Sequence, residues 1–200
     1  MQQIVLASNN QGKIDEFNAI FNRINIEIIP QAKFNVPEID EPYCTFIENS
    51  LHKARHCSKY SNLPVLADDS GICVNALNGR PGVLSARYSG TQRDSLRNNL
   101  KLVEELKPFD NKSAYYYCLL TLIRSANDPQ PIFADGILAG EIVDTPRGNN
   151  GFGYDPHMFL TTHNKTVAEL SNDEKNLISH RYKAIMALMT KLADFKVNAP

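Results

Sequence analysis

Residues 114–143 read as strand after strand: a long branched and aromatic run at 114–123, another at 132–134, and a weaker one near 140–143. Helical patterns flank this block on both sides, which excludes a strictly alternating parallel chain. The expectation is a mixed α/β fold, a long twisted sheet with flanking helices. Further strand-like runs stand at 4–7, 26–29, 65–67 and 72–77. One apolar helical stripe is Ile14, Phe17, Ile20 and Phe21. Another is Ile47, Leu51 and Ala54, opened by Thr45 with Glu48 three residues on, the spacing of a capping box. Leu96, Leu100, Val103 and Leu106 predict a third helix, ending before Pro108. A last helical region starts at Ser171, with Glu174 in the capping position, and its stripe continues through Ile185, Leu188, Met189 and Leu192. With no repeats, low-complexity tracts or linkers, residues 1–200 are expected to form a single domain with a sizeable core.

A formal charge of -1 and a pI near 6.5 argue against a protein that coats nucleic acid, so any phosphate affinity has to be local. No basic region followed by a long apolar run opens the sequence and no stretch is long enough to span a bilayer, which leads us to expect a cytoplasmic protein. Cys44, Cys57, Cys73 and Cys118 show no CxxC or CxxH spacing, the pattern of reduced and mostly packed thiols.

Local phosphate affinity has a candidate in SNNQGK, where the first apolar run gives way to a helical pattern. This is not a P-loop, because Ala7 and Ile14 stand where that motif needs a glycine and a hydroxyl. What survives is strand, polar turn and helix start, with Lys13 in the first turn. The open N–H groups and dipole of such a start suit a phosphate. The alternative is a helix merely capped by Asn9 or Asn10, with Lys13 solvated.

Acids come next. In VLADDSGICV two adjacent aspartates close an apolar run, where α/β sheets commonly place ligands. Neighbouring side chains on an extended backbone point to opposite sides, so Asp68 and Asp69 need not share one task. Asp-Asp-Ser-Gly also suits a turn without chemistry. Glu38, Asp40 and Glu41 lie in a proline-bounded loop, as magnesium ligands or as a surface acidic patch; Asp69 with Glu41 would suffice for magnesium. His52 and His56 share a helix face, but Lys53 adjoins them and no glutamate sits between as a zinc protease needs. They read as packed or exposed histidines, and Lys53 as a phosphate contact.

RGNNGFGYDP offers Phe152 as a flat face for a base, with Asp155 and freed backbone groups to select it. A tight hairpin with Phe152 and Tyr154 packed inward is the other reading. In ELSNDEKNLISHRYKAI, His180 and Arg181 would lie about 140° and 240° around an unbroken helix from Lys175. The three cannot then face one ligand, and we expect a break near Ser179.

In this order, SNNQGK, TFIENSLHKAR, ADDSG, GRPGVLSARYSG, GFGYDP and EKNLISHR closely resemble the inosine triphosphate pyrophosphatase family, the non-canonical purine NTP pyrophosphatases, from residue 4 to about residue 190. The resemblance implies two lobes around a central cleft. It also implies hydrolysis of ITP, dITP and XTP to the monophosphate and pyrophosphate with Mg2+, by a homodimer that keeps deaminated purines out of DNA and RNA. It implies that Ser8, Asn9, Asn10, Gln11, Gly12 and Lys13 hold the triphosphate. Asp69 matches the catalytic acid/base and metal ligand, Glu41 a further acid at the metal, with Asp68 as a third candidate, and Ser70 a substrate contact. Phe152, Gly153, Tyr154, Asp155, Lys175, His180 and Arg181 match the base-binding elements. Where the family often has Thr-Gly-Asn, this chain has Ser8-Asn9-Asn10; asparagine tolerates left-handed angles, so the change is accommodated. Three alternatives compete: a Maf-like nucleotide pyrophosphatase, a nucleotide sensor without catalysis, and an aspartyl-phosphate hydrolase. Gly12-Lys13 where Maf-like proteins usually show arginines, and the intact acids, favour the inosine triphosphate pyrophosphatase reading over these.

Overall fold

In the computed structural model, which describes residues 2–22, 26–90 and 94–198, strands and helices mix along the whole chain. The strands are β1 (Gln2–Leu6), β2 (Ile26–Pro30), β3 (Val65–Val74), β4 (Ser113–Ile123), β5 (Ile132–Ile142), β6 (Met158–Leu160) and β7 (Lys165–Thr166). The helices are α1 (Gln11–Phe21), α2 (Phe46–Ser61), α3 (Ser95–Leu106), α4 (Asn172–Ile178) and α5 (His180–Asn198). The strands form one sheet in the order β2-β1-β3-β4-β5-β6-β7. β1 runs parallel to both β2 and β3, while β6 is antiparallel to β5 and β7, so the sheet is mixed as expected. Among the described residues no helix is long and apolar enough to cross a membrane.

Two pairs of expected strands are each one strand. The run at 65–67 and the first part of that at 72–77 merge into β3, straight through the polar residues Asp68, Asp69 and Ser70, while Asn75–Leu77 forms a 3-10 turn; 132–134 and the run near 140–143 merge into β5, which ends at Ile142. The Asp-Asp-Ser-Gly stretch is therefore extended, not a turn. β6 and β7 are too short to carry a periodic signal of their own.

The chain divides into two compact units, residues 1–69, 118–136 and 181–200 in the first, residues 70–117 and 137–180 in the second. In the first unit β1 from Ile4 on and β3 to Asp69 are buried on both faces, and alternation assigns each side chain to one of them. Ile4 and Leu6 of β1 and Leu66 of β3 join Phe17, Ile20 and Phe21 of α1 and Ile185 and Leu188 of α5. Val5, Ala7, Val65 and Ala67 join Ala54 and Cys57 of α2 on the opposite face. Parity extends this division to the two aspartates: Asp68 shares its face with Leu66, and Asp69 with Ala67.

The second unit packs Leu102 and Leu106 of α3 against Tyr116, Leu138, Met158, Leu160 and Val167. Here the predicted stripe is corrected. Leu96 and Leu100 are 68% and 60% exposed, and the inward face of α3 is Asn98, Asn99, Leu102 and Leu106. Two asparagines displace two leucines because their amides find partners inside. Asn98 alone makes four contacts, accepting from N and Oγ of Ser89 and donating to the carbonyls of Ser85 and Ala86. Hydrophobic spacing cannot register such a bond.

Candidate active site

After β1 the chain turns through residues 8–10 into α1. Ser8 Oγ accepts from the N–H of Asn10 at 3.2 Å, and Asn10 caps the helix, its Oδ1 accepting from the N–H of Lys13 at 3.2 Å. The cap is real, but Lys13 is not a solvated surface cation. Its Nζ lies 3.3 Å from Asp68 Oδ2, with the side chain only 16% exposed. Asn9 and Asn10 are exposed, as is Gln11, which donates to Asp15 at 2.7 Å; Ser8 and Gly12 are half-buried. Asn9 has no positive φ, so asparagine in place of the family's glycine requires no left-handed backbone.

β3 delivers the two aspartates to opposite faces, and each meets a different set of partners. Asp68 faces α1 and α5: Arg181 Nε donates to its Oδ2 at 3.0 Å, beside the Lys13 contact, and Cys118 Sγ lies 3.7 Å from its Oδ1. The other end of the Arg181 guanidinium donates to Glu16 at 2.6 Å, and all three of these charged side chains are buried. Burial disfavours the guanidinium charge, but Glu16 and Asp68 outweigh it and hold its pKa above the usual arginine value.

Asp69 faces α2. Lys53 Nζ donates to Asp69 Oδ1 at 2.9 Å, to Glu41 Oε1 at 2.6 Å and to the Asp68 carbonyl at 2.8 Å. An ammonium has three protons, so all of those on Lys53 are engaged. The lysine read as a phosphate contact instead joins the two acids. Burial lowers the Lys53 pKa, yet Asp69 and Glu41 outweigh it and hold the ammonium above its ordinary value. For Asp69 burial dominates in the other direction, lifting the carboxyl above the ordinary aspartate value against the opposing pull of Lys53 and Lys13. A carboxyl tuned upward in this way is suited to taking and returning a proton near neutral pH.

Asp69 Oδ2 is buried and has no hydrogen-bond donor. An orphaned anionic oxygen beside a second carboxylate fits a hard divalent cation, which needs only one or two carboxylates when water and phosphate fill the rest. Glu41 is half-buried, whereas Glu38 and Asp40 are exposed or nearly so, so the loop contributes one acid to this cluster. Asp68 is committed to Lys13 and Arg181, which leaves Asp69 and Glu41 as the better pair for a metal. The histidines play no part in it: His56 Nε2 lies 2.9 Å from the Pro37 carbonyl and His52 packs edge-on against Tyr43.

In the second unit the glycine-rich loop divides its two aromatics. Tyr154 belongs to the core, and its hydroxyl donates to the Ser85 carbonyl at 2.8 Å. Phe152 is 37% exposed, with Lys175 Nζ 4.5 Å from the centre of its ring. Asp155 organises the loop: Oδ2 accepts from Phe152 N at 2.9 Å and Lys175 Nζ at 2.8 Å, and Oδ1 accepts from the Tyr116 hydroxyl at 2.9 Å. Gly151, at φ +75°, makes room for this carboxylate; a Cβ there would stand 2.1 Å from Asp155 Oδ2. Ser70 is half-buried on β3, at the start of this unit.

The break near Ser179 is present. α4 starts in a complete capping box of Ser171 and Glu174, and Ser179 is extended, with φ -61° and ψ 156°, before α5 begins. Lys175 and His180 thereby serve the second unit, His180 stacking on Tyr116 with ring centres 4.9 Å apart. Arg181, one residue later, serves the first, on Glu16 and Asp68. Glu16 and Tyr116 are not singled out by the sequence. Glu16 follows Lys13 by three residues on α1 and so shares its face, a faint signal; Tyr116 sits among three consecutive tyrosines with nothing to mark it.

Comparison with known proteins gives the chain its family. The family model described as the Ham1 family matches residues 4–191. A Chromobacterium violaceum protein named dITP/XTP pyrophosphatase is 55% identical over 190 residues, covering 95% of this chain and 96% of that one. A Ralstonia nicotianae protein of the same name is 50% identical, over 98% of this chain and 99% of its own. The structure of a HAM1 protein from Coxiella burnetii matches with a TM-score of 0.89 at 44% identity, over 97% of this chain and 100% of that one. Six motifs in order, a mixed sheet of the same fold and a family match over nearly the whole length lead to one assignment: the chain belongs to the Ham1 family.

Proposed function

We propose that this protein hydrolyses ITP, dITP and XTP to the nucleoside monophosphate and pyrophosphate, and so keeps deaminated purines out of nucleic acids. The observation that carries the reading is the buried, donorless Oδ2 of Asp69, on a carboxyl whose other oxygen is fixed by Lys53. The names of the relatives support the substrate class.

Asp69 takes a proton from water as the water oxygen bonds to the α phosphorus; the bond from that phosphorus to the bridging oxygen breaks, and pyrophosphate leaves. Lys53 holds Asp69 and Glu41 together, while Lys13, steadied by Asp68, offers positive charge beside the N-terminus of α1 for the phosphates. Asp69 and Glu41 would hold Mg2+, which supplies charge neutralisation on the phosphates. Phe152 offers its ring to the base, and Lys175, oriented by Asp155, donates to the oxygen that hypoxanthine and xanthine carry where adenine has an amine. A buried donor left facing an amine costs on the order of 1–3 kcal/mol, which disfavours ATP.

The test is magnesium-dependent turnover of ITP, XTP, ATP, GTP and dTTP, resolving pyrophosphate from orthophosphate. Pyrophosphate from ITP and XTP, with the others slow, is expected. Saturable ITP binding without turnover would replace this reading with the sensor, and orthophosphate release would point to the aspartyl-phosphate mechanism. Phe152→Ala should raise KM for ITP by about 5- to 150-fold, since stacking of a base on an aromatic ring is worth roughly 1–3 kcal/mol. An unchanged KM would place the base elsewhere. The partner we propose is a second copy of the chain in the cytoplasm, so light scattering should report twice the chain mass of 22.4 kDa.

A further inference from the structure

α3 turns two successive asparagines inward, and they do different things. Asn98 is saturated by the fold through its four contacts to the 85–89 segment. Asn99, 6% exposed, donates from Nδ2 to the Gly153 carbonyl at 2.9 Å, and its Oδ1 is buried with no protein donor. An unpaired buried oxygen is a penalty that an apolar residue would avoid. What an apolar residue lacks is the N–H for Gly153. That carbonyl lies at the apex of the turn carrying Phe152 and Asp155, at a glycine held at φ +64°. The turn's backbone bond, from Asp155 N to the Phe152 carbonyl, is long at 3.3 Å, and the Asn99 bond joins the 2.9 Å bond from Phe152 N to Asp155 Oδ2 in fixing the turn.

We propose that Asn99 is a positioning residue for base recognition. It pins the Gly153–Tyr154 peptide, and through it keeps Phe152 and the Asp155 carboxylate where Lys175 can be shared between them. This rests on the reading of the loop as the base platform and adds a residue that does not touch the base.

Two variants test it, Asn99→Ala and Asn99→Leu, which removes the donor while roughly keeping the size. Without nucleotide, the amides of Phe152 and Asp155 should exchange hydrogen faster in both variants than in the wild type. With ITP, KM should rise about fivefold with kcat and Tm nearly unchanged, the signature of lost binding rather than lost chemistry. Asn98→Ala, as control, should lower Tm and leave KM alone. Unchanged amide exchange, or kcat and Tm falling together with KM flat, would overturn the proposal. The exchange measurement needs no nucleotide, so it decides the Asn99 tie even where a wild-type protein inert toward ITP has refuted the functional reading.

Discussion

Asp69→Asn loses about a thousandfold in kcat for ITP, within the roughly 10²- to 10⁴-fold that a positioned base contributes, and the protein stays folded. Asparagine keeps the volume and offers Lys53 an oxygen, but it cannot take a proton. The stability sign comes from the raised pKa. A carboxyl with a higher pKa folded than unfolded binds more protons in the native state, so its contribution falls as pH rises through that window. The neutral isostere removes the cost of burying that charge but gives up its attraction to the Lys53 ammonium, so Tm should stay close to wild type. In the wild type, kcat/KM should fall on the acid side through an apparent pKa above the ordinary aspartate value of 3.8. Lys53→Met removes an influence that lowers the Asp69 pKa, and should move this acid limb further up. Near-normal turnover in Asp69→Asn, or an acid limb that ignores Lys53, would remove Asp69 from the role of base.

What the sequence conveys about this site is largely a matter of parity and caps. An extended backbone at residues 68 and 69 already requires opposite faces, and the structure gives those faces to α1 with α5 and to α2. The clash of helical angles among Lys175, His180 and Arg181 requires a break, and Ser179 supplies it. Polar segments are less legible, because local propensity treats Asp-Asp-Ser-Gly as a turn. It is extended because it belongs to a strand paired between β1 and β4, and its acids are met there by charges from far along the chain, Lys13, Lys53 and Arg181. For the same reason the sequence offers Lys53 to a phosphate without showing its tie to Asp69 and Glu41, and presents Leu96 and Leu100 as core. Each of these differences is decided by a partner more than ten residues away or by an amide whose bond leaves no trace in hydrophobicity.

Arg181→Met should be the most destabilising single change proposed for the first unit. The arginine side chain is 4% exposed and stands between Glu16 at 2.6 Å and Asp68 at 3.0 Å. Removing it takes the guanidinium away from two buried carboxylates, with Lys13, 3.3 Å from Asp68, in partial compensation. Breaking a buried ion pair by deleting one partner costs about 3–5 kcal/mol, because the remaining charge is desolvated without return. For a chain of this size that is a Tm lowered by roughly 6–20 °C, at about 2–4 °C per kcal/mol. The deficit should shrink as pH falls, since protonating the two carboxylates removes the charge that Arg181 balanced. Glu16→Met placed on the same background should recover part of the loss, a non-additivity that marks direct contact. A Tm close to wild type in the single variant, or strict additivity in the double, would show that Arg181 does not hold these acids. The function of the network would then have to be sought in Asp68 and Lys13 alone, which is why thermal unfolding should be measured alongside KM for ITP. A residue that only contacts the base would raise KM and leave the melting curve in place.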